Sequence, residues 1–291
     1  MTTKSTTANQ LKLIECPRDA MQGWAHFIPT DKKIGYLNSL LKVGFDTLDF
    51  GSFVSPMAIP QMADTKDVIN NLEMQGTTTK LLAIIANERG ANDAVTFDKI
   101  SYLGFPFSIS ETFQQRNTNS SVDESLNRVA TIQNLCVQNN KELVVYISMG
   151  FGNPYGDEYN EEIVTKRTKQ IEELGVKIIS IADTVGLATA NEVSMLMGKM
   201  MPMFKNIELG VHLHSAPENR IAKLEAALNA GCKRFDSALK GIGGCPMAGN
   251  DLVGNMDTEV MLRYFKERGE QLHFDDVALQ QCNRLAGDIF I

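Results

Sequence analysis

From residue 11 onward, short apolar runs alternate with stretches whose apolar positions recur every three to four residues. Eight runs have the length and content of buried strands: LKLIEC (11–16), FDTLDF (45–50), KLLAII (80–85), SYLGFPFSI (101–109), ELVVYIS (142–148), KIISIAD (177–183), ELGVHLH (208–214) and RFDSAL (234–239). The fourth is the weakest, because Gly104 and Pro106 interrupt it. Helical patterns lie between them. TDKKIGYLNSLLKVG (30–44) sets Ile34, Leu37, Leu40 and Leu41 along one face and stops at Gly44. In the helix over 120–136, Ser121 stands three residues before Glu124, the spacing of a capping box. The patterns over 160–175, 217–231 and 257–269 all end at glycine, and a last helix spans 274–290.

Eight strand-then-helix units predict a (β/α)8 TIM barrel, an α/β fold. The barrel is expected as a single domain over 11–291 with an extra C-terminal helix, after a short disordered lead-in at 1–10. An open doubly wound sheet is the alternative. It usually carries a glycine-rich phosphate turn after its first strand, and ECPRDAMQG is not one.

Composition narrows the function classes. The 291 residues are 43% hydrophobic and 22% charged, enough to bury a large core. A net charge of −7 without a long basic run argues against a nucleic-acid partner. Five scattered cysteines with no CxxC spacing point to reduced thiols in a cytoplasmic protein. No apolar run reaches membrane-spanning length, and the polar N-terminal segment does not read as a secretory signal.

In a TIM barrel the chemistry sits at the carboxyl ends of the strands. Those ends carry Arg18 and Asp19 after strand 1, Asp49 on strand 2, Asp183 on strand 6, and His212 and His214 on strand 7. Strand side chains alternate faces, so both imidazoles point the same way, toward the barrel axis if Val211 and Leu213 face the helices. An isolated HxH is more often two hydrogen-bonded strand histidines. With Asp19 across the mouth, ligation of a six-coordinate divalent ion becomes the better reading. Thiolates are missing from the set, which disfavours a structural zinc site.

GIGGCPMAGNDLVGN (241–255) surrounds Cys245 with glycines, as a tight mobile loop would. Cys245 there is a general acid, a nucleophile or inert. Asn255 can cap the next helix or ligate metal through its amide oxygen, and local sequence favours capping. Asn153 and Tyr155, in FGNPYGD, are placed on the catalytic side, and Gln22 follows the PRD turn. His26 and His273 read as solvated residues. Met195, Met197, Met200, Met201 and Met203 read as adaptable packing or a contact that allows a homodimer.

ECPRDAMQG, GSFVSPMAIPQMAD, ADTVG, GVHLH and GIGGCPMAGNDLVGN, in this order, resemble the 3-hydroxy-3-methylglutaryl-CoA lyase family over roughly residues 12–290. PRD and HxH are shared with the related isopropylmalate and homocitrate synthases, whereas SFVSPxxxPQMAD and GGCP are more specific to the lyases. The resemblance implies Mg²⁺ or Mn²⁺ held by Asp19, His212, His214 and Asn255, which reverses the capping preference. It implies Arg18 at the thioester carbonyl of a CoA-thioester substrate and Cys245 on a catalytic loop. The reaction so implied splits hydroxymethylglutaryl-CoA into acetoacetate and acetyl-CoA. Arg18, Asp19, Asp49, His212 and Cys245 would then be catalytic, and Arg18, Gln22, Asn153, Tyr155 and Asp183 would line the substrate or support the ligands.

Three features depart from the family pattern. The family usually has Glu where Asp49 stands, Arg where Val144 stands, and an acidic residue and an aromatic where Ser215, Ala216 and Pro217 follow the histidines. Two other readings therefore remain: a related acyl-CoA enzyme condensing with a 2-oxo acid, and a non-catalytic binder of CoA thioesters.

Overall fold

The computed structural model describes residues 10–244 and 253–290. Eight parallel strands close into a barrel in sequence order. They are β1 (Lys12–Glu15), β2 (Thr47–Ser52), β3 (Lys80–Ile84), β4 (Ile100–Ser108), β5 (Glu142–Ser148), β6 (Ile178–Asp183), β7 (Glu208–Leu213) and β8 (Arg234–Ser237). The expected TIM barrel is the fold. The lead-in at 1–9 and the Cys245 loop fall outside the described residues.

Eleven α-helices stand among the described residues: α1 (Pro17–Gln22), α2 (Thr30–Leu40), α3 (Thr65–Asn70), α4 (Glu88–Ala94), α5 (Glu111–Thr118), α6 (Val122–Gln138), α7 (Glu161–Glu173), α8 (Ala190–Met203), α9 (Arg220–Asn229), α10 (Thr258–Glu267) and α11 (Asp276–Ile289). Their ends follow local chemistry. The capping box at α6 is formed, with Glu124 N donating to Ser121 Oγ at 3.1 Å and Ser121 N donating back to Glu124 at 2.7 Å. Gly175, read as a helix stop, follows the C-cap Leu174 of α7 with φ of 92°, which L side chains avoid, whereas α2 ends at Leu40, short of the expected stop at Gly44. None of these helices is long and apolar enough to cross a membrane. On α8, Met197 and Met200 are buried while Met195 and Met203 are exposed, so the methionines divide between two faces.

The barrel has two apolar cores. A large annulus packs the outward faces of the strands against the helices. Leu82, Tyr102, Val144, Tyr146 and Ile178 form a small plug inside the barrel. This plug explains why β4 is an unbroken strand despite Gly104 and Pro106. A Cβ on Gly104 would lie 2.5 Å from Ile84 Cδ1 and 3.2 Å from Tyr146 Cε2, so the interior leaves room for no side chain there. Pro106, two residues on, faces the cavity above the plug. Val144 belongs to the plug and contributes packing rather than charge.

Candidate metal centre and active site

A cavity of about 360 Å³ opens at the carboxyl ends of the strands, lined by Arg18, Asp19, Gln22, Asp49, His212 and His214 together with residues from the loops after β2, β3 and β4. The PRD turn after β1 is the short helix α1. Pro17 at its first position presets the helical φ, and Gly23 follows its last. The turn puts Asp19 and Gln22 on one face, where Gln22 Nε2 donates to Asp19 Oδ1 at 2.8 Å. Arg18 bridges two carboxylates, donating to Asp19 Oδ1 at 2.8 Å and from Nε to Asp49 Oδ2 at 3.0 Å. A register shift between Asp49 and Gly51 turns both Asp49 and Ser52 toward the cavity.

His212 and His214 face inward, as the alternation predicts. Their Nε2 atoms are 3.3 Å apart. His214 Nδ1 lies 2.7 Å from Val253 O, an atom that can only accept, so Nδ1 carries a proton. His212 Nδ1 lies 3.1 Å from Asp236 Oδ2, again as a donor. In the neutral rings both Nε2 lone pairs therefore point at each other, an arrangement that a shared cation relieves. Two nitrogens bound about 2.1 Å from one ion at adjacent positions stand about 3 Å apart. Single donor atoms of Asp19, His212 and His214 all lie within 4.8 Å of one another, and this set fits a divalent metal. Cys16, His212 and Asp236 also converge. Burial first, then Asp236 and Asp49, pushes the Cys16 thiol well above its usual value and makes it a poor ligand.

The electrostatics separate the two carboxylates that Arg18 bridges. Burial alone would raise Asp19, but Arg18 and the two imidazoles outweigh it and hold the group at about 2. Burial pushes Asp49 up to about 6 although Arg18 sits against it. Burial lowers His214, and nearby His212 lowers it further. His212 is raised, because Asp236 and Asp19 outweigh the effect of its burial.

Asn255 is buried at the mouth on a returning segment that bridges to His214, between the ends of β7 and β8. It does not cap α10; Asp257 does, accepting from Glu259 N at 2.9 Å. Asn255 Nδ2 donates to Asp19 Oδ2 at 2.7 Å and to Ile242 O at 2.9 Å. It thus joins the cluster by holding Asp19, with its nitrogen rather than its oxygen turned to the donors. Gly243 lies against the same place, since a Cβ there would come within 2.6 Å of Asn255 Nδ2 and 2.8 Å of Asp19 O. Ile242–Gly243 on one side and Val253 on the other thus flank the Cys245 loop at the donor cluster.

Three residues expected at the substrate do not line the cavity. Asp183 is buried in an ion pair with Lys223 at 2.8 Å, and Lys223 Nζ also donates to His214 O at 2.7 Å. It therefore fixes the backbone of a ligand, the supporting role also considered for it. Asn153 folds back on its own loop, accepting from Tyr155 N and Asp157 N and donating to Asp157 O. Tyr155 lies behind the wall, stacked on Phe113 at 6.4 Å and under the Arg116 guanidinium at 4.7 Å. Phe113 and Arg116 are the residues that line the cavity. Sequence reading missed Asp236, whose one available signal is a carboxylate on the inward face of a buried strand, and Arg116, which carries no local signal. The histidines His26 and His273 are exposed.

Residues 11–286 match the family model described as HMGL-like. The chain belongs to the HMGL-like family. It is 31% identical over 253 residues to the cytoplasmic 3-hydroxy-3-methylglutaryl-CoA lyase of Rattus norvegicus, covering 87% of this chain and 73% of that one. It is 30% identical to hydroxymethylglutaryl-CoA lyase YngG of Bacillus subtilis, covering 84% and 80%. An HMG-CoA lyase of Acinetobacter baumannii, solved with coenzyme A and 3-methylmalate, superposes with a TM-score of 0.90 at 29% identity, covering 98% of this chain and 93% of that one. In this member of the HMGL-like family, the PRD turn and the HxH pair line one cavity, and Asn255 holds Asp19 beside it.

Proposed function

We propose that this protein is a hydroxymethylglutaryl-CoA lyase, a carbon–carbon lyase that cleaves 3-hydroxy-3-methylglutaryl-CoA to acetoacetate and acetyl-CoA with Mg²⁺ or Mn²⁺. The observation that carries the reading is the convergence of Asp19 with two imidazoles whose Nε2 atoms face each other. Asp19, His212 and His214 would hold the ion, with Asn255 and Gln22 orienting Asp19. An ion held there would supply Lewis-acid polarisation of the substrate's tertiary hydroxyl.

The remaining chemistry falls to side chains of this chain. The hydroxyl gives up its proton, the bond between C2 and C3 breaks, and its electron pair passes to the thioester as an enolate. Asp49 lines the cavity with a carboxyl near 6, better matched to take that proton than Asp19 near 2. Arg18, fixed by two carboxylates, supplies a pre-set cation for the enolate oxygen. The enolate carbon then needs a proton, and Cys245 is proposed to deliver it. The flanks of its loop abut Asn255 and His214, which supports this role. Arg116 lines the cavity without a carboxylate partner among the described residues, held by Tyr155, and is suited to an anionic group of the CoA thioester.

The test is acetoacetate release from hydroxymethylglutaryl-CoA by purified protein with Mn²⁺ or Mg²⁺. Release that stops with chelator and returns with metal supports the reading. No release, with condensation of acetyl-CoA onto a 2-oxo acid instead, would replace it.

A further inference from the structure

We infer that Arg234, in the barrel interior, is a positioning residue that anchors Asp236 and through it sets the orientation of His212. The inference rests on the metal-centred reading above.

Register places the groups. Tyr146, Ser180, Gly210 and Arg234 are successive partners across β5, β6, β7 and β8, so they occupy one level of the barrel. His212 and Asp236 are register partners two residues further along the same strands, on the same inward faces and one level nearer the mouth. A Cβ on Gly210 would lie 2.8 Å from both Cγ and Cδ of Arg234. The arginine side chain therefore runs across the β7 backbone inside the barrel, and only glycine leaves it room.

Arg234 is fully enclosed, and its Nη1 donates to Glu208 Oε1 at 3.0 Å. Its Nε and Nη2 have no protein partner, nor do Asp236 Oδ1, Tyr146 Oη and Ser180 Oγ. Five of the eleven such atoms among the described residues thus fall on these two levels, so they form one group rather than scattered defects. The group is chemically complementary. Arg234 and Tyr146 bring donors; Asp236 and Ser180 bring acceptors. Asp236 uses its other oxygen, Oδ2, on His212 Nδ1. Anchoring Oδ1 on the guanidinium through one bound water stops the carboxylate from rotating. Its rotation would swing His212 Nε2 away from Asp19 and His214. The enclosed arginine thereby acts on the donor set from below without touching it.

The experiment measures Mn²⁺ binding by titration calorimetry and, on metal-free protein, the His212 tautomer by ¹⁵N NMR. Arg234→Met is expected to weaken Mn²⁺ binding about 10- to 100-fold. It should also mix the two His212 tautomers where the native protein shows the Nδ1–H form. Arg234→Lys should restore most of the affinity. Asp236→Asn should match Arg234→Met, and the double variant should be no worse than either single one. Wild-type affinity and an unchanged tautomer in Arg234→Met, or additive losses in the double variant, would overturn the inference. If Arg234→Met does not fold, Arg234→Gln, which keeps much of the shape without the charge, is measured in its place under the same criteria. Native protein that takes up no Mn²⁺ would sink the metal reading, while the tautomer measurement still decides the role of Arg234.

Discussion

The two ends of the barrel both carry buried or half-buried charge, yet they are built differently. At the amino ends of the strands, the cations Lys12, Lys141 and Arg234 each have a protein acceptor. Glu208 pairs with both Lys12 and Arg234, and Lys141 Nζ donates to the carbonyls of Phe97 and Ile100. At the carboxyl ends, the balance is left open. Arg18 is shared between Asp19 and Asp49, and two imidazole nitrogens face each other at 3.3 Å. A cation held by protein oxygens stabilises the fold, whereas an enclosed site that gathers acceptors without enough donors awaits a cation or substrate.

Substitutions at the two ends should therefore separate activity from stability. Asp19→Asn at the mouth should lower kcat/KM by at least about 10³-fold. Calorimetry should find Mn²⁺ uptake lost, with the fold intact by circular dichroism. An active Asp19→Asn enzyme would erase the contrast. Arg18→Met should affect both properties, because it leaves Asp49 buried without its partner. Activity should fall about 10²- to 10³-fold, and urea unfolding should show a loss of about 3 kcal/mol.

Glu15 sharpens the comparison from one side. Only four residues from Asp19, it is enclosed between Thr258 and Leu239 with no cation among the described residues to oppose its burial, which pushes it up to about 8. Its folded value exceeds the ordinary 4.5, so the folded state holds a proton that the unfolded chain releases. The associated stability is complete below pH 4.5 and is lost as pH rises through 8, by a few kcal/mol at roughly 1.4 kcal/mol per unit. Glu15→Gln should flatten this part of the stability–pH curve measured by thermal unfolding. An identical slope in the variant would show that another group titrates.

Smaller effects probe the rim and the floor. Arg116→Ala should raise KM for the CoA thioester about tenfold with kcat nearly unchanged, consistent with a binding contact worth about 1.4 kcal/mol. A kcat loss instead would move Arg116 into the chemistry. Lys141→Met should lower stability by about 1 kcal/mol, the usual worth of such hydrogen bonds. Steady-state rates should stay at the native level, and a changed rate would mean that the floor is coupled to the mouth.

Much of this arrangement was legible in the chain. Every strand run is a strand, and the helix ends at Ser121 and Gly175 behave as their local chemistry requires. The inward pairing of His212 and His214 follows from alternation alone. Other features were misread for definite reasons. Gly104 and Pro106 look like strand breakers because the rule assumes an average strand, whereas here the interior plug excludes a side chain. Asn153 and Tyr155 sit after a catalytic-side strand end, but the loop folds on itself and turns them from the cavity. Asn255 has the position of a cap, yet pairing of its segment at the mouth hands that task to Asp257.

Periodicity, caps and the spacing of PRD and HxH are properties of neighbouring residues, so the order of amino acids alone determines the eight strand–helix units and the donors that face inward. Partner choice is different. Asn255 reaches Asp19 across 236 positions, and His212 finds Asp236 only because β7 pairs with β8 in that register. Which carboxylate is neutralised, which imidazole nitrogen is left bare and which oxygen stays unpaired were decided by closure of the barrel. Burial and charge pairing depend on what comes together in space, and no local stretch of chain contains that information.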